Sequence, residues 1–217
     1  MKQRSIFFLI VLLASLLVAA TVSAHPATMQ PADVLAFDGF YDVGDAYIYR
    51  NDRGITAQGM ASGVAPGVYT MWWVVWNAPE NCNTAYACLE PDLFNSEVRV
   101  AIGYAGGAMT DKNGNFMISA HLSEGETLTG FPYPEFQALG LQLNDTTMID
   151  SRHAEIHLVF RYHGIVEPML LSTAMHTFNG GCEYTIPISG SEPAYGTPGS
   201  NICVDTHFVI FPSEDTP

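Results

Sequence analysis

Short runs of alternating apolar and polar residues, separated by Gly, Pro, Asn and Asp, set the pattern of this chain. Alternation with period two puts successive side chains on opposite faces of a strand. Residues 46–50 (Ala-Tyr-Ile-Tyr-Arg) predict a strand, Asn51-Asp52-Arg53-Gly54 a turn, and 55–62 the return strand. Ala65-Pro66-Gly67 predicts a second turn. Residues 68–77 follow, aromatic and β-branched throughout, with Trp72, Trp73 and Trp76 among them. A strand apolar on both faces belongs in the middle of a fold, and its tryptophans read as core before they read as a carbohydrate platform. Residues 97–104 predict a further strand. Asp111-Lys112-Asn113-Gly114-Asn115 reads as a hairpin turn, with 116–122 returning.

The second half is less regular. Residues 123–150 carry Phe131-Pro132-Tyr133-Pro134 and a candidate short helix over 135–143. Residues 154–162 form the clearest strand of the chain. Residues 168–178 predict a helix that starts at a proline and stops at Gly180-Gly181. Residues 204–211 are the last strand. About seven short strands with turn signals and one or two short helices predict a mainly β chain, a Greek-key β-sandwich. The expected organisation is a signal peptide over 1–24, an N-terminal arm over 25–45 that is loose at its Pro/Ala-rich start, one sandwich domain over 46–211 and a tail over 212–217.

The leader rests on a basic start (Lys2, Arg4), an apolar run from Ile6 to Ala20, and Val22-Ser23-Ala24 as a small-x-small cleavage site. That run is about 15 residues, short of the roughly 20 that cross a bilayer. Cleavage would leave 193 of the 217 residues, with no membrane span and a secreted or periplasmic destination, in a layout of bacterial type. Lys2 and Arg4 leave with the leader, so 6 basic and 22 acidic residues remain, a formal charge of −16. Such a surface repels phosphate backbones and speaks against nucleic acid as a partner. Cys82, Cys88, Cys182 and Cys203 are an even set in an exported chain and predict two disulfides. Of three pairings, loop-closure cost favours Cys82–Cys88 and Cys182–Cys203. No Cys-x-x-Cys pair is present to argue for structural zinc.

Motifs of serine hydrolases, zinc proteases, P-loops and dinucleotide folds are absent, so no catalytic residue is assigned. One segment gathers chemistry. In 152–163 one strand face collects Ala154, Ile156, Leu158, Phe160 and Tyr162. The opposite face collects His153, Glu155, His157, Val159, Arg161 and His163. Glu155, His157 and Arg161 are the candidate ligand-binding or structural polar network. His153, His157 and His163, with His121 from the strand before the irregular stretch, are the candidate ligands for a divalent metal, since imidazole and carboxylate two residues apart can converge on one ion. No cofactor is required by the sequence. Three readings stay open for this face: a structural network, a metal site, or a pocket for a small molecule in which Glu155 and His157 could act as acid and base.

Residues 63–67 (Gly-Val-Ala-Pro-Gly) followed by the aromatic strand, then 103–122 with its Asp-x-Asn-Gly-Asn turn, resemble the Greek-key sandwiches of the copper–zinc superoxide dismutase and chordin-like type. Trp72 and Val74 stand where that family places its His-x-His copper ligands, so the resemblance implies the fold without the copper site. Residues 69–82, 154–159 and 178–182 resemble a group of uncharacterised secreted bacterial β-sandwich proteins, which implies a shared fold and export but no activity. The expected function is a secreted, disulfide-stabilised module, non-catalytic, that binds a small molecule, a metal or another protein. The alternatives are a metal-dependent or acid–base enzyme working from the Glu155/His157/Arg161 face, and a structural protein of envelope or matrix.

Overall fold

A computed structural model describes residues 26–182, 184–185 and 202–215. The expected leader over 1–24 lies outside the described residues, as does most of the excursion between Cys182 and Cys203. Among the described residues there are nine strands: β1 (Thr28–Ala36), β2 (Asp42–Asn51), β3 (Gly54–Ala61), β4 (Val68–Trp76), β5 (Val100–Met109), β6 (Phe116–Ser123), β7 (Glu155–Tyr162), β8 (Tyr184–Thr185) and β9 (Ile202–Phe211). Two short helices join them, α1 (Tyr133–Ala138) and α2 (Leu171–His176). Single 3-10 turns occupy Pro79–Asn81, Glu90–Phe94 and Ser96–Val98.

The fold is mainly β, as expected, and of the sandwich or barrel class. Eight strands form one antiparallel sheet in the order β5-β4-β7-β9-β1-β2-β3-β6, with two-residue β8 parallel to β9. The sheet folds on itself. Tyr69 on β4 stacks on Phe116 of β6 with ring centres 4.6 Å apart, and Phe116 lies 5.4 Å from Phe160 of β7. The ring of Phe160 reaches across to β3, where it occupies the space a side chain on Gly59 would need. β5 and β6, the two ends of the pairing order, are successive strands. A Cβ on Gly106 of β5 would press on Ile118 of β6. The enclosed core holds Met71, Trp73, Val75, Ile156, Leu158, Phe160, Ile48 and Val209, all buried.

β4 is buried on both faces, as its composition predicts. Trp73 faces the core. Trp72 and Trp76 face outward, into a second apolar cluster with Ile102, Leu93, Phe131, Phe136, Phe178 and the Cys82–Cys88 pair. Irregular segments over 77–98 and 131–143 build this outer layer. Packing of this kind is non-directional and needs no regular backbone, only apolar area removed from water.

One expectation about the periphery is corrected. The arm over 25–45 is not loose: Thr28–Ala36 is a strand paired with β2 along its length and with β9 at Leu35 and Ala36. Pro31 is compatible with a strand there because β1 pairs with β9 at its last two residues alone, leaving most of its other side open. The tail is docked as far as Asp215. The Glu214 carboxylate is bound by Arg152 at 2.7 Å and by the Thr28 hydroxyl, and its backbone N–H donates to the Arg152 carbonyl.

Both expected disulfides form, Cys82–Cys88 and Cys182–Cys203. No helix among the described residues is long and apolar enough to cross a membrane.

Candidate functional site

β7 runs extended and its side chains divide as the alternation predicts. Ala154, just before the strand, Ile156, Leu158 and Phe160 enter the core, and Tyr162 packs against it. Glu155, His157, Val159 and Arg161 take the other face. That face is not solvated. It is the floor of the outer layer, built in rungs by the strand register. Trp76 of β4 lies opposite Glu155; Val74 and Ile210 of β9 flank His157; Trp72 and Phe208 flank Val159; Thr70 and Asp205 flank Arg161.

The two polar ends of this floor are tied into the fold. Glu155 is fully buried, and its Oε1 accepts from the Cys88 N–H at 3.0 Å and lies 2.7 Å from His157 Nε2. Among the described residues its Oε2 has no hydrogen-bond partner, nor does the indole Nε1 of Trp76 opposite. Arg161, also fully buried, donates to the Phe178 carbonyl at 2.9 Å and to Asp205 at 2.6 Å, and its guanidinium stacks 4.0 Å from the centre of the Phe178 ring. Arg161 thus pairs across the sheet with Asp205 and does not reach Glu155. The polar-network expectation becomes two separate networks, one at each end.

The proposed metal set does not assemble. His153 lies in the turn before β7, between Glu80 at 2.9 Å and Asp215 at 3.0 Å. Partial burial pulls its pKa down, and the two carboxylates more than offset this, so the net shift is upward. His157 is held by Glu155. His163 is buried, with Nε2 2.8 Å from Thr70 Oγ1 and Nδ1 3.0 Å from the Gly180 carbonyl. His121 is on the exposed face of β6, against Thr56 Oγ1 at 2.9 Å. A strand spaces alternate residues ~7 Å apart, and here each ring finds its own partner before any two can share an ion. The one group of three potential ligands among the described residues is His163, Cys182 and Cys203. Its sulfurs are joined to each other, so neither is a thiolate free to bind metal.

Between the two polar ends the floor opens into a cavity of about 360 Å³. Trp72, Val74, Trp76, Val159, Phe208 and Ile210 form its base. Leu89, Glu90, Pro91, Leu93, Phe131 and Phe178 wall it, and Phe37 and Phe40 of the β1–β2 turn stand at its rim. Of the three polar residues expected on the face, His157 alone lines it; Glu155 and Arg161 lie outside. The remaining polar lining is Glu90 and Asp205. Burial, and then the charge of Asp205, push the Glu90 carboxyl above its ordinary pKa. Nε2 of His157 is engaged by Glu155, and its Nδ1 has no hydrogen-bond partner among the described residues. In the neutral ring it is a bare acceptor.

Two rim features escaped the sequence reading. Phe40 is 68% exposed and adopts φ 53°, a left-handed conformation that an aromatic residue seldom takes. Phe37 is also exposed, and its ring stacks on Phe208 at 4.7 Å. The signal present in the sequence was Phe37-Asp38-Gly39-Phe40-Tyr41, aromatic residues around a glycine turn.

No protein-family model, no curated protein and no solved structure matches this chain.

Proposed function

We propose that this protein is an exported binding module that holds a small, largely apolar molecule in the cavity over β4, β7 and β9. The observation that carries the reading is that cavity: about 360 Å³, apolar on nearly all sides, and floored by the strand face that the sequence singles out. Small-molecule sites are commonly concave, mostly apolar and furnished with a few polar groups, with volumes from roughly 300 Å³ upward. His157 supplies one such group, held at a fixed angle by Glu155. Two disulfides and a strongly acidic surface support export, in keeping with the leader expected over residues 1–24.

Binding is favoured over catalysis because the polar groups do not converge on the space. Glu155 lies beneath the wall, Arg161 is consumed by Asp205 and the Phe178 carbonyl, and the cavity keeps a single imidazole. Trp72 and Trp76 form part of the wall, so their fluorescence reports occupancy. Titration with N-phenyl-1-naphthylamine should give saturable, one-to-one quenching. Val159→Trp, which fills the floor, should abolish it while leaving the circular dichroism spectrum unchanged. A linear, non-saturating response in the wild-type protein would sink the reading.

A further inference from the structure

The apolar cavity has a neighbour. A trough of about 1100 Å³ opens between the β1–β2 turn, the residues after β3 and the middle of β9. Phe37 and Asp205 line both spaces, so the two adjoin at these residues. Asp38, Asp42, Asp45 and Asp205 line the trough. Glu90 and Asp205 stand on the cavity side. No lysine or arginine lines either space. Among the described residues, the cation that reaches this wall is Arg161, buried behind it on Asp205. The remaining titratable ring, His207 of the trough, is buried and held below its ordinary pKa by that burial, so it adds no charge near neutrality.

We infer that the ligand is a small amphipathic organic cation, with an aromatic or aliphatic body in the cavity and an amine directed past Phe37 toward the aspartates of the trough. This rests on the binding function proposed above and adds to it the charge of the ligand. Three features point the same way. The walls are rich in aromatic faces, which attract cations as well as apolar groups. The carboxylates that line the cavity, Glu90 and Asp205, are acceptors when ionised, and a protonated amine brings donors to them. Asp205 is paired with Arg161, but Asp38, Asp42 and Asp45 have no counter-ion among the described residues, so an anionic ligand would meet repulsion at the trough wall. Indole Nε1 of Trp76 is a donor, but it is sealed beneath the surface and offers nothing to an anion.

Three probes of one shape separate the possibilities: 4-phenylbutylammonium, 4-phenylbutanol and 4-phenylbutyrate, each titrated into the full-length secreted protein by calorimetry and tryptophan fluorescence. The ammonium should bind about tenfold tighter than the alcohol at low ionic strength, and the carboxylate weakest of the three. In about 0.5 M salt the gap between ammonium and alcohol should shrink to about twofold. Asp38→Asn with Asp45→Asn should reduce the gap at low salt and leave the affinity for the alcohol unchanged. Asp42 is left in place because it accepts from the Gly44 N–H. Equal binding of all three probes, or a preference for the carboxylate, overturns the inference and leaves the binding function standing. An ammonium preference insensitive to both salt and the double variant also overturns it. If none of the three binds, and N-phenyl-1-naphthylamine does not either, both readings fall.

Discussion

Burial of His163 among Thr70, Gly180 and the Cys182–Cys203 pair opposes its imidazolium form. Desolvation is the main cause, Arg161 adds to it, and the Gly180 carbonyl and Asp205 oppose it; the pKa falls from 6.5 to about 4. The unfolded chain therefore binds a proton that the folded chain refuses. Stability from this group is complete above about pH 6.5 and is lost as pH falls toward 4, by about 3 kcal/mol in all. Chemical denaturation of the wild type and of His163→Gln at pH 7 and about pH 4.5 should show a steeper acid loss in the wild type. Parallel losses would refute it. Arg50 makes a second case at this scale. It is fully buried and donates to the carbonyls of Ser151, Ala154, Phe211 and Pro212, at 2.7 to 3.2 Å. Burial lowers its pKa to about 10, against the opposing charges of Glu214 and Glu155. Arg50→Met should cost about 3–5 kcal/mol in denaturant unfolding, because four buried carbonyls lose their donor together. Nothing in the sequence marked Arg50. It ends a plain strand, and the four carbonyls it binds lie about a hundred residues and more away.

Elements were legible where one periodicity ruled. β2, β3, β4, β6 and β7 fall within a few residues of their expected spans because alternation and turn residues act locally. β5 runs on to Met109, past the Tyr104 expected as its end, because Gly106 and Gly107 interrupt the pattern while suiting close packing against Ile118 and the Met175 carbonyl. β1 was missed because Pro31 reads as a strand breaker unless the partner on each side is known. The outer layer was illegible for a different reason. Its apolar residues sit in irregular segments with no period, so the polar face of β7 could be read as exposed, and the cavity, assembled from Phe37, Phe131, Phe178 and three strands, could not be foreseen. A Gly59→Ala substitution tests a tight contact between facing elements. Its methyl group would strike the Phe160 ring in a filled core and should destabilise by about 1–3 kcal/mol. Phe160→Leu in the Gly59→Ala background should cost less than it does in the wild type, measured as a double-mutant cycle. Strict additivity would show that the two residues do not press on each other.

At the scale of the molecule, one strand joins two halves. β9 lies between β7, which carries β4 and β5, and β1, which carries β2, β3 and β6. Yet β9 is the last of the nine to leave the ribosome, and its link to β1 rests on Leu35–Phe208 and Ala36–His207. The keystone arrives after the arch. Until residues near 210 are available, the earlier strands present raw edges and cannot complete a single sheet, and such long-range pairing folds slowly. A chain so ordered cannot close its sheet until its far end has been made, so its final shape is decided last.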